Sequence, residues 1–334
     1  MKVCPSCSAE VHDSAKFCDT CGYNIKKHEE DAERERMANM FCPNCGTQAS
    51  GKRFCFECGY EFGAETDEQK RDRLERELQP FTYTKMSDGG ILLSGVKDKA
   101  LVNITVPEGV TLIGVNAFKE SAAIKVTLPG SLVEIGDYAF YKCQSLCDIN
   151  LPAGLKKIGE YAFCDCKSLI SVKIPDSVDV LKPYTFGNCI NLKEAELPRG
   201  ILGISRNLFY HCESLRSIVV PNGVRIIGQC AFYGCRVLES VTLPSTLTSI
   251  EESAFNNCLY LREIKLPEGL TSIGKSAFAT CGSIKKVSIP YSVTSVGDYA
   301  FAWCFNLEEA RIPATAKLGK DVFYSSSKVN VLTV

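Results

Sequence analysis

The sequence predicts a mainly β solenoid of short strands and short helical turns, preceded by two small cysteine-rich modules joined by helical linkers. Three observations carry that prediction. Prolines recur at Pro107, Pro129, Pro152, Pro175, Pro198, Pro221, Pro244, Pro267, Pro290 and Pro313, a first interval of 22 residues followed by intervals of 23. Phenylalanines from Phe118 to Phe323 keep the same beat. Upstream, Cys-x2-Cys pairs stand at Cys4/Cys7, Cys18/Cys21, Cys42/Cys45 and Cys55/Cys58. A fixed period of this length marks stacked units, none of which buries its apolar face alone.

The 334 residues divide accordingly into modules at 1–25 and 41–63, charged linkers at 26–40 and 64–80, and a repeat region at 81–334. In each module two Cys-x2-Cys knuckles turn four thiolates toward one ion, the tetrahedral shell that zinc prefers. Cys4, Cys7, Cys18 and Cys21 form one candidate set, and Cys42, Cys45, Cys55 and Cys58 the other, so two structural zinc ions are expected. Four thiolates leave no open position for a reacting water. Gly22, Gly46 and Gly59 follow the second cysteine of their knuckles, where a positive φ is useful, and Ser8 takes that place in the first knuckle. Phe17, Phe54, Tyr23 and Tyr60 are expected to cover most of a core too small to fold without metal.

The linkers carry almost no apolar stripe, and a helix polar all round bridges domains in solvent. Thr66 with Gln69 reads as a capping box, Asp67–Arg71 and Asp72–Arg76 as i,i+4 pairs, and Pro80 as the stop.

Each repeat runs Leu-x-x-Ile-x-Leu-Pro, then Val-x-x-Ile-Gly, then Ala-Phe-x-x-Cys. The Ile-x-Leu alternation is a strand with one buried face, and the proline ends it. A second extended piece ends at the Ile-Gly corner, and Ala-Phe-x-x-Cys is read as one helical turn that seats Phe in the core. Lys182, Ser205 and Glu251 replace the corner glycine, and Pro183 and Thr185 precede Phe186, so altered corners are expected in the middle coils. Cys143, Cys166, Cys189, Cys212, Cys235, Cys258, Cys281 and Cys304 each follow a repeat Phe by three residues. They are expected to line an inner turn as compact hydrophobes, close enough in neighbouring coils to oxidise. Cys147, Cys164 and Cys230 lie off this ladder.

Composition excludes several classes. The chain is 45% apolar and 23% charged with a net charge of -1, which fits neither a disordered chain nor a polyanion binder acting by bulk charge. No apolar run is long enough to span a membrane. Residues 1–80 hold 12 Lys+Arg against 16 Asp+Glu, the wrong balance for phosphate contacts, so nucleic acid is not the expected partner. Met1 to Glu10 lacks the apolar core of a secretory signal, and 19 cysteines then point to a reducing compartment, the cytoplasm. Only His12, His28 and His211 are present, with no phosphate-cradling loop or nucleophile elbow, and no enzyme is expected.

The paired segments CPSCS…KFCDTCGY and CPNCG…RFCFECGY resemble the short bacterial zinc-ribbon family, which implies a folding and docking module. The repeat pattern over residues 81–334 resembles the BspA-type (treponemal) leucine-rich repeats. That resemblance implies about ten stacked repeats, a cap hairpin within Phe81–Val102 turning at Asp88-Gly89-Gly90, and a last strand from Lys328–Val334. Its relatives are often cell-surface adhesins, a role that requires export.

The expected function is a non-enzymatic protein-interaction scaffold with a protein partner. Residues two and four before each proline form an outward sheet face without an aromatic anchor. Tyr138, Tyr161, Tyr184 and Tyr299 stand two before a repeat Phe; the first three are expected to stack in one ladder. With Trp303 they form the candidate partner-binding edge. The alternatives are a surface adhesin exported by an unrecognised route and a nucleic-acid-associated regulator acting through the ribbons.

Overall fold

The computed structural model describes residues 1–38, 67–334 and positions 41, 47, 48, 54, 55, 57, 59 and 61 between them. Cys42, Cys45, Gly46, Cys58, Tyr60 and the capping residue Thr66 lie outside the described residues. The chain forms two compact units, Met1–Arg73 and Leu74–Val334. Two helices belong to the charged segments, α1 over Ile25–Ala38 and α2 over Asp67–Glu77. No helix among the described residues is long and apolar enough to cross a membrane.

The second unit is a stacked series of coils with two parallel ladders of short strands. One ladder, here the main sheet, is built from the segments before the prolines. Asn103–Thr105, Lys125–Thr127 and Asp148–Asn150 pair in register, and Lys286–Ser288, Glu309–Ile312 and Asn330–Thr333 do so at the far end. The other ladder, the corner sheet, comprises two six-stranded pieces, which end at Val180–Leu181 and begin again at Gly203–Ile204. The cap is a hairpin of Phe81–Lys85 against Ile91–Val96, with Gly89 at φ 86° and the Asp88 carboxylate accepting the Gly90 amide at 2.9 Å. The end of α2 belongs to the same unit. Leu78 is fully buried in the core and Leu74 packs beside it, so this linker is not polar all round. An i,i+4 leucine pair was the one-turn stripe that showed it.

Between the ladders lies a column of phenylalanines. Rings from Phe118 to Phe323 stack nearly parallel, with centroids 4.8 Å apart at Phe118–Phe140 and 5.1 Å at Phe232–Phe255, and Phe81 closes the column edge-on. The expected helical turn around each Phe is absent. Residues two before and two after it sit in the left-handed region, as at Tyr138 (φ 57°), Lys142 (φ 58°), Cys230 (φ 54°) and Trp303 (φ 57°). Consecutive i→i+3 turns replace the helix: the Ala139, Tyr141 and Cys143 amides donate to Gly136, Tyr138 and Phe140. Stacking is the cause. The Phe140 amide donates to Ala162 of the next coil at 2.7 Å, and the Phe232 amide to Ala254 at 2.8 Å, which offsets the cost of about 1–2 kcal/mol for each left-handed residue.

The corners explain the glycines and their replacements. A Cβ on Gly159 would lie 2.4 Å from the Gly136 carbonyl carbon, so adjacent corners approach too closely for a side chain. Where one is present, it is put to use. Lys182 reaches back over Gly159 to the Asp137 carboxylate two coils away at 3.0 Å. The Glu251 carboxylate accepts the Gln229 amide at 2.9 Å. Most corner amides donate to the preceding coil, as Gly228 does to Ile204 at 2.8 Å. At Ser205 the hydroxyl donates instead to the Leu181 carbonyl, and here the corner sheet divides. The altered middle coils are therefore real, and Glu251 is accommodated without a break.

Candidate metal centre and partner surfaces

In the first module Lys2–Val3 pairs antiparallel with Glu10–Val11, and an isolated bridge joins Phe17 to Asn24. These pairings hold two tight knuckles. The Ser8 amide donates to the Cys4 carbonyl at 2.9 Å and the Gly22 amide to the Cys18 carbonyl at 2.8 Å, with Ser8 at φ 60° and Gly22 at φ 72°. Ser8 thus accepts the strained conformation that glycine takes elsewhere. The sulfurs converge: Cys4 Sγ lies 3.7 Å from Cys21 Sγ, Cys7 Sγ lies 3.6 Å from Cys18 Sγ, and all four are within 4.8 Å of one another. Bonds of about 2.3 Å to a tetrahedral zinc require sulfurs about 3.8 Å apart, so this set fits the ion.

Cys18 and Cys7 are shifted in opposite directions. Burial opposes ionisation of Cys18, but the amides of Cys21 and Thr20 and the neighbouring thiols outweigh it and bring Cys18 down to about 6. The Ala9 amide favours the Cys7 thiolate, yet the surrounding thiols hold Cys7 up at about 12. Val11 and Ile25 form the small core, and Tyr23 is half-buried against it. The expectation that Phe17 and Phe54 cover that core is corrected, because they are 55% and 53% exposed. Each precedes a ligand position on a two-stranded strip, which turns its side chain to solvent. His12 and His28 are exposed, bonded to Ser14 at 2.7 Å and Tyr23 at 3.0 Å.

The described part of the second module repeats this plan. Bridges Phe41–Gln48 and Phe54–Glu61 have the same seven-residue offset as Val3–Glu10 and Phe17–Asn24. Gly59, at φ 75°, donates to the buried Cys55 at 2.9 Å.

The ladder cysteines have another role. Each thiol points to a phenylalanine carbonyl of the preceding coil, as Cys166 to Phe140 and Cys235 to Phe209, both at 3.2 Å. That carbonyl already accepts an amide within its own coil, as Phe140 does from Cys143, so the thiol satisfies its second lone pair. Ser121 is buried at the equivalent place in the first coil, and Ser326 in the last donates to Phe301 at 2.9 Å. Burial pushes the thiols up, to about 12 for Cys143 and Cys304 and higher between them. They are protonated donors rather than mere space-fillers, and a buried protonated thiol is inert to oxidation. His211 turns away from Cys212, packing on Tyr210 at 4.5 Å and lying 3.4 Å from Glu213, while Cys212 donates to Phe186.

Tyr138, Tyr161 and Tyr184 do stack in one ladder, at 4.9 and 4.5 Å. Their faces pack on each other, and all three are half-buried. Tyr299, Trp303 and Tyr324 form a separate group, with Trp303 to Tyr324 at 5.5 Å and Trp303 the more open to solvent than its ladder counterparts. On the main sheet, charges cancel between rungs: Lys125–Asp148 at 2.9 Å, Lys173–Glu196 at 2.8 Å and Lys286–Glu309 at 3.6 Å. Sequence reading missed two open grooves on this face. One of about 540 Å³ is lined by Lys173, Glu194, Glu196, Arg199 and Val219, the other of about 670 Å³ by Arg262, Lys265, Lys286, Glu309 and Arg311.

Stacked parallel strands, a Phe column and recurring corners define a leucine-rich repeat solenoid with a ribbon-type head. Residues 96–216 and 202–330 match the family described as BspA type leucine rich repeat region, and residues 4–59 match the double zinc ribbon. The chain belongs to the BspA-type leucine-rich repeat family. Among solved structures it is similar to a leucine-rich repeat protein from Bacteroides ovatus (22% identity, 75% of this chain and 93% of that one, TM-score 0.43). It is also similar to a leucine rich cell surface protein from Faecalibacterium prausnitzii (22%, 76% and 93%, TM-score 0.41). A leucine-rich repeat protein of T. pallidum is 28% identical over 62% of this chain and 88% of that one, with a TM-score of 0.45. A search of curated proteins found no match.

Proposed function

We propose that the chain is a non-enzymatic protein-interaction scaffold, with two ribbons clamped by structural zinc ions tethered to a leucine-rich repeat rod. Cys4, Cys7, Cys18 and Cys21 hold one ion in this reading, and Cys42, Cys45, Cys55 and Cys58 the second. One observation carries it: the groups that have chemistry are committed to one another. The ladder thiols donate to carbonyls, the sheet charges pair rung by rung, and His211 is held by Glu213 and its tyrosine neighbours. A four-thiolate shell is closed to substrate. What remains is extended surface, the kind that repeat proteins use to bind.

The partner meets the aromatic edge, at Tyr138, Tyr161 and Tyr184 and at the Tyr299–Trp303 group. The cytoplasm suits a ladder of free thiols, and cell fractionation checks that placement. Zinc-loaded full-length chain used as bait with cross-linking mass spectrometry tests the whole reading. The expected result is a specific protein cross-linked beside these aromatics, and its capture falls at least about tenfold (about 1.4 kcal/mol) when Tyr138, Tyr161 and Tyr184 become Ser and Trp303 becomes Ala. Serine suits those positions, since Ser253 and Ser276 hold the same left-handed geometry. Unchanged capture removes the aromatic edge, and turnover of any substrate removes the scaffold.

A further inference from the structure

One row of the solenoid, the residue just after the buried position that opens each main-sheet strand, changes character along the rod. In four consecutive coils it is Val102, Ile124, Cys147 and Ile170; in the next six it is Lys193, Arg216, Glu239, Arg262, Lys285 and Glu308. The apolar members are not core residues. Val102, Ile124 and Ile170 are 46%, 44% and 49% exposed, and Cys147 is exposed as well. Ala100, Ala122 and Ser145 lie beside them, also exposed and small enough not to screen the stripe. At about 4.8 Å per coil the stripe is about 14 Å long. A contiguous apolar strip that ends abruptly in charge marks a contact surface.

We propose that this stripe is where two copies of the chain meet, side by side and antiparallel. The charges next to it choose the partner. Lys125 and Asp148 flank the middle of the stripe on one side, paired at 2.9 Å, with both side chains 56% exposed. A two-fold axis lying across the rods, between the coil of Ile124 and the coil of Cys147, sets Ile124 against Cys147 of the second copy and Val102 against Ile170. The same operation sets Lys125 against the second copy's Asp148, and Asp148 against its Lys125. The patch is therefore self-complementary in shape and in charge, as an isologous contact requires. Shifting the axis by half a coil, onto Cys147, brings Asp148 against Asp148 and loses that match. The area is small, so the contact is weak and transient.

Sedimentation of the zinc-loaded full chain under reductant, which prevents a Cys147 tether, tests this. Wild type is expected to dimerise reversibly, and Ile124→Glu, an exposed position that leaves the fold intact, is expected to weaken dimerisation at least tenfold. Lys125→Asp and Asp148→Lys each remove homodimers by setting like charges together. Mixed, they are expected to form a heterodimer at least tenfold tighter than either homodimer, an outcome that altered folding cannot imitate. A wild type that stays monomeric at about 500 µM overturns the proposal. So does a dimer indifferent to Ile124→Glu, or a mixture of the charge variants that forms no heterodimer.

Discussion

Raising the pH above 9 is expected to destabilise the repeat unit steeply, by up to about 1.4 kcal/mol per ladder thiol for each pH unit. The cause is the thiol ladder. An ordinary thiol ionises near 9.0, whereas burial holds Cys143 and Cys304 at about 12 and the thiols between them higher still. The folded values are raised, so this contribution is complete below pH 9 and is lost as pH rises toward 12. In that window the unfolded chain releases protons that the folded chain retains. Each thiol then costs about 1.4 kcal/mol per pH unit, and the ladder has eight. Domains are stable by only about 5–15 kcal/mol, so this loss is large enough to unfold the repeats in alkaline solution. Urea denaturation at pH 8, 9 and 10 reads the slope. Replacing Cys212, Cys235, Cys258 and Cys281 by Ser is expected to halve it, since Ser326 already makes the same bond in the last coil. Equal slopes in the two proteins would place the alkaline sensitivity in tyrosine or lysine instead.

The second large effect is Phe232→Ala. Phe232 is fully buried, with Phe209 stacked 5.6 Å below and Phe255 5.1 Å above. The substitution is expected to cost about 3–5 kcal/mol through lost transfer energy and a cavity that rigid neighbouring coils cannot close. Phe323→Ala, at the half-buried end of the column, is expected to cost less than half as much. Denaturant midpoints measure both, and equal losses would mean that the column is not a cooperative core.

The repeat fold was legible because its signals are periodic: proline ends a strand, glycine lets corners touch, and phenylalanine fills the centre, once per coil. The helical turn was misread because the left-handed residues bracketing each Phe are of many types, Tyr138, Cys230 and Ser253 among them. Their geometry is imposed by bonds to the next coil, which no local pattern records. Asn116, Asn188, Asn207 and Asn257 were the available hint, since asparagine tolerates that region best. Cysteine spacing pointed directly to the cluster of Cys4, Cys7, Cys18 and Cys21, because knuckle geometry is local. The thiols' hydrogen bonds to phenylalanine carbonyls depend on 25- or 26-residue separations, and the grooves on coils far apart in sequence; neither has a local signature.

This chain is expected to use cysteine in two opposite states, as thiolate clamps on metal in its ribbons and as protonated donors in its repeats. Stepwise thiol counting on the zinc-loaded protein, with the labelled residues identified by mass spectrometry, tests it most directly. Native protein is expected to label at exposed Cys147 and slowly at half-buried Cys230. A chelator is expected to release the eight knuckle cysteines and no others, and only denaturant the eight of the ladder with Cys164. Ladder cysteines that label in the native state, or knuckle cysteines that label equally with and without zinc, would contradict the account.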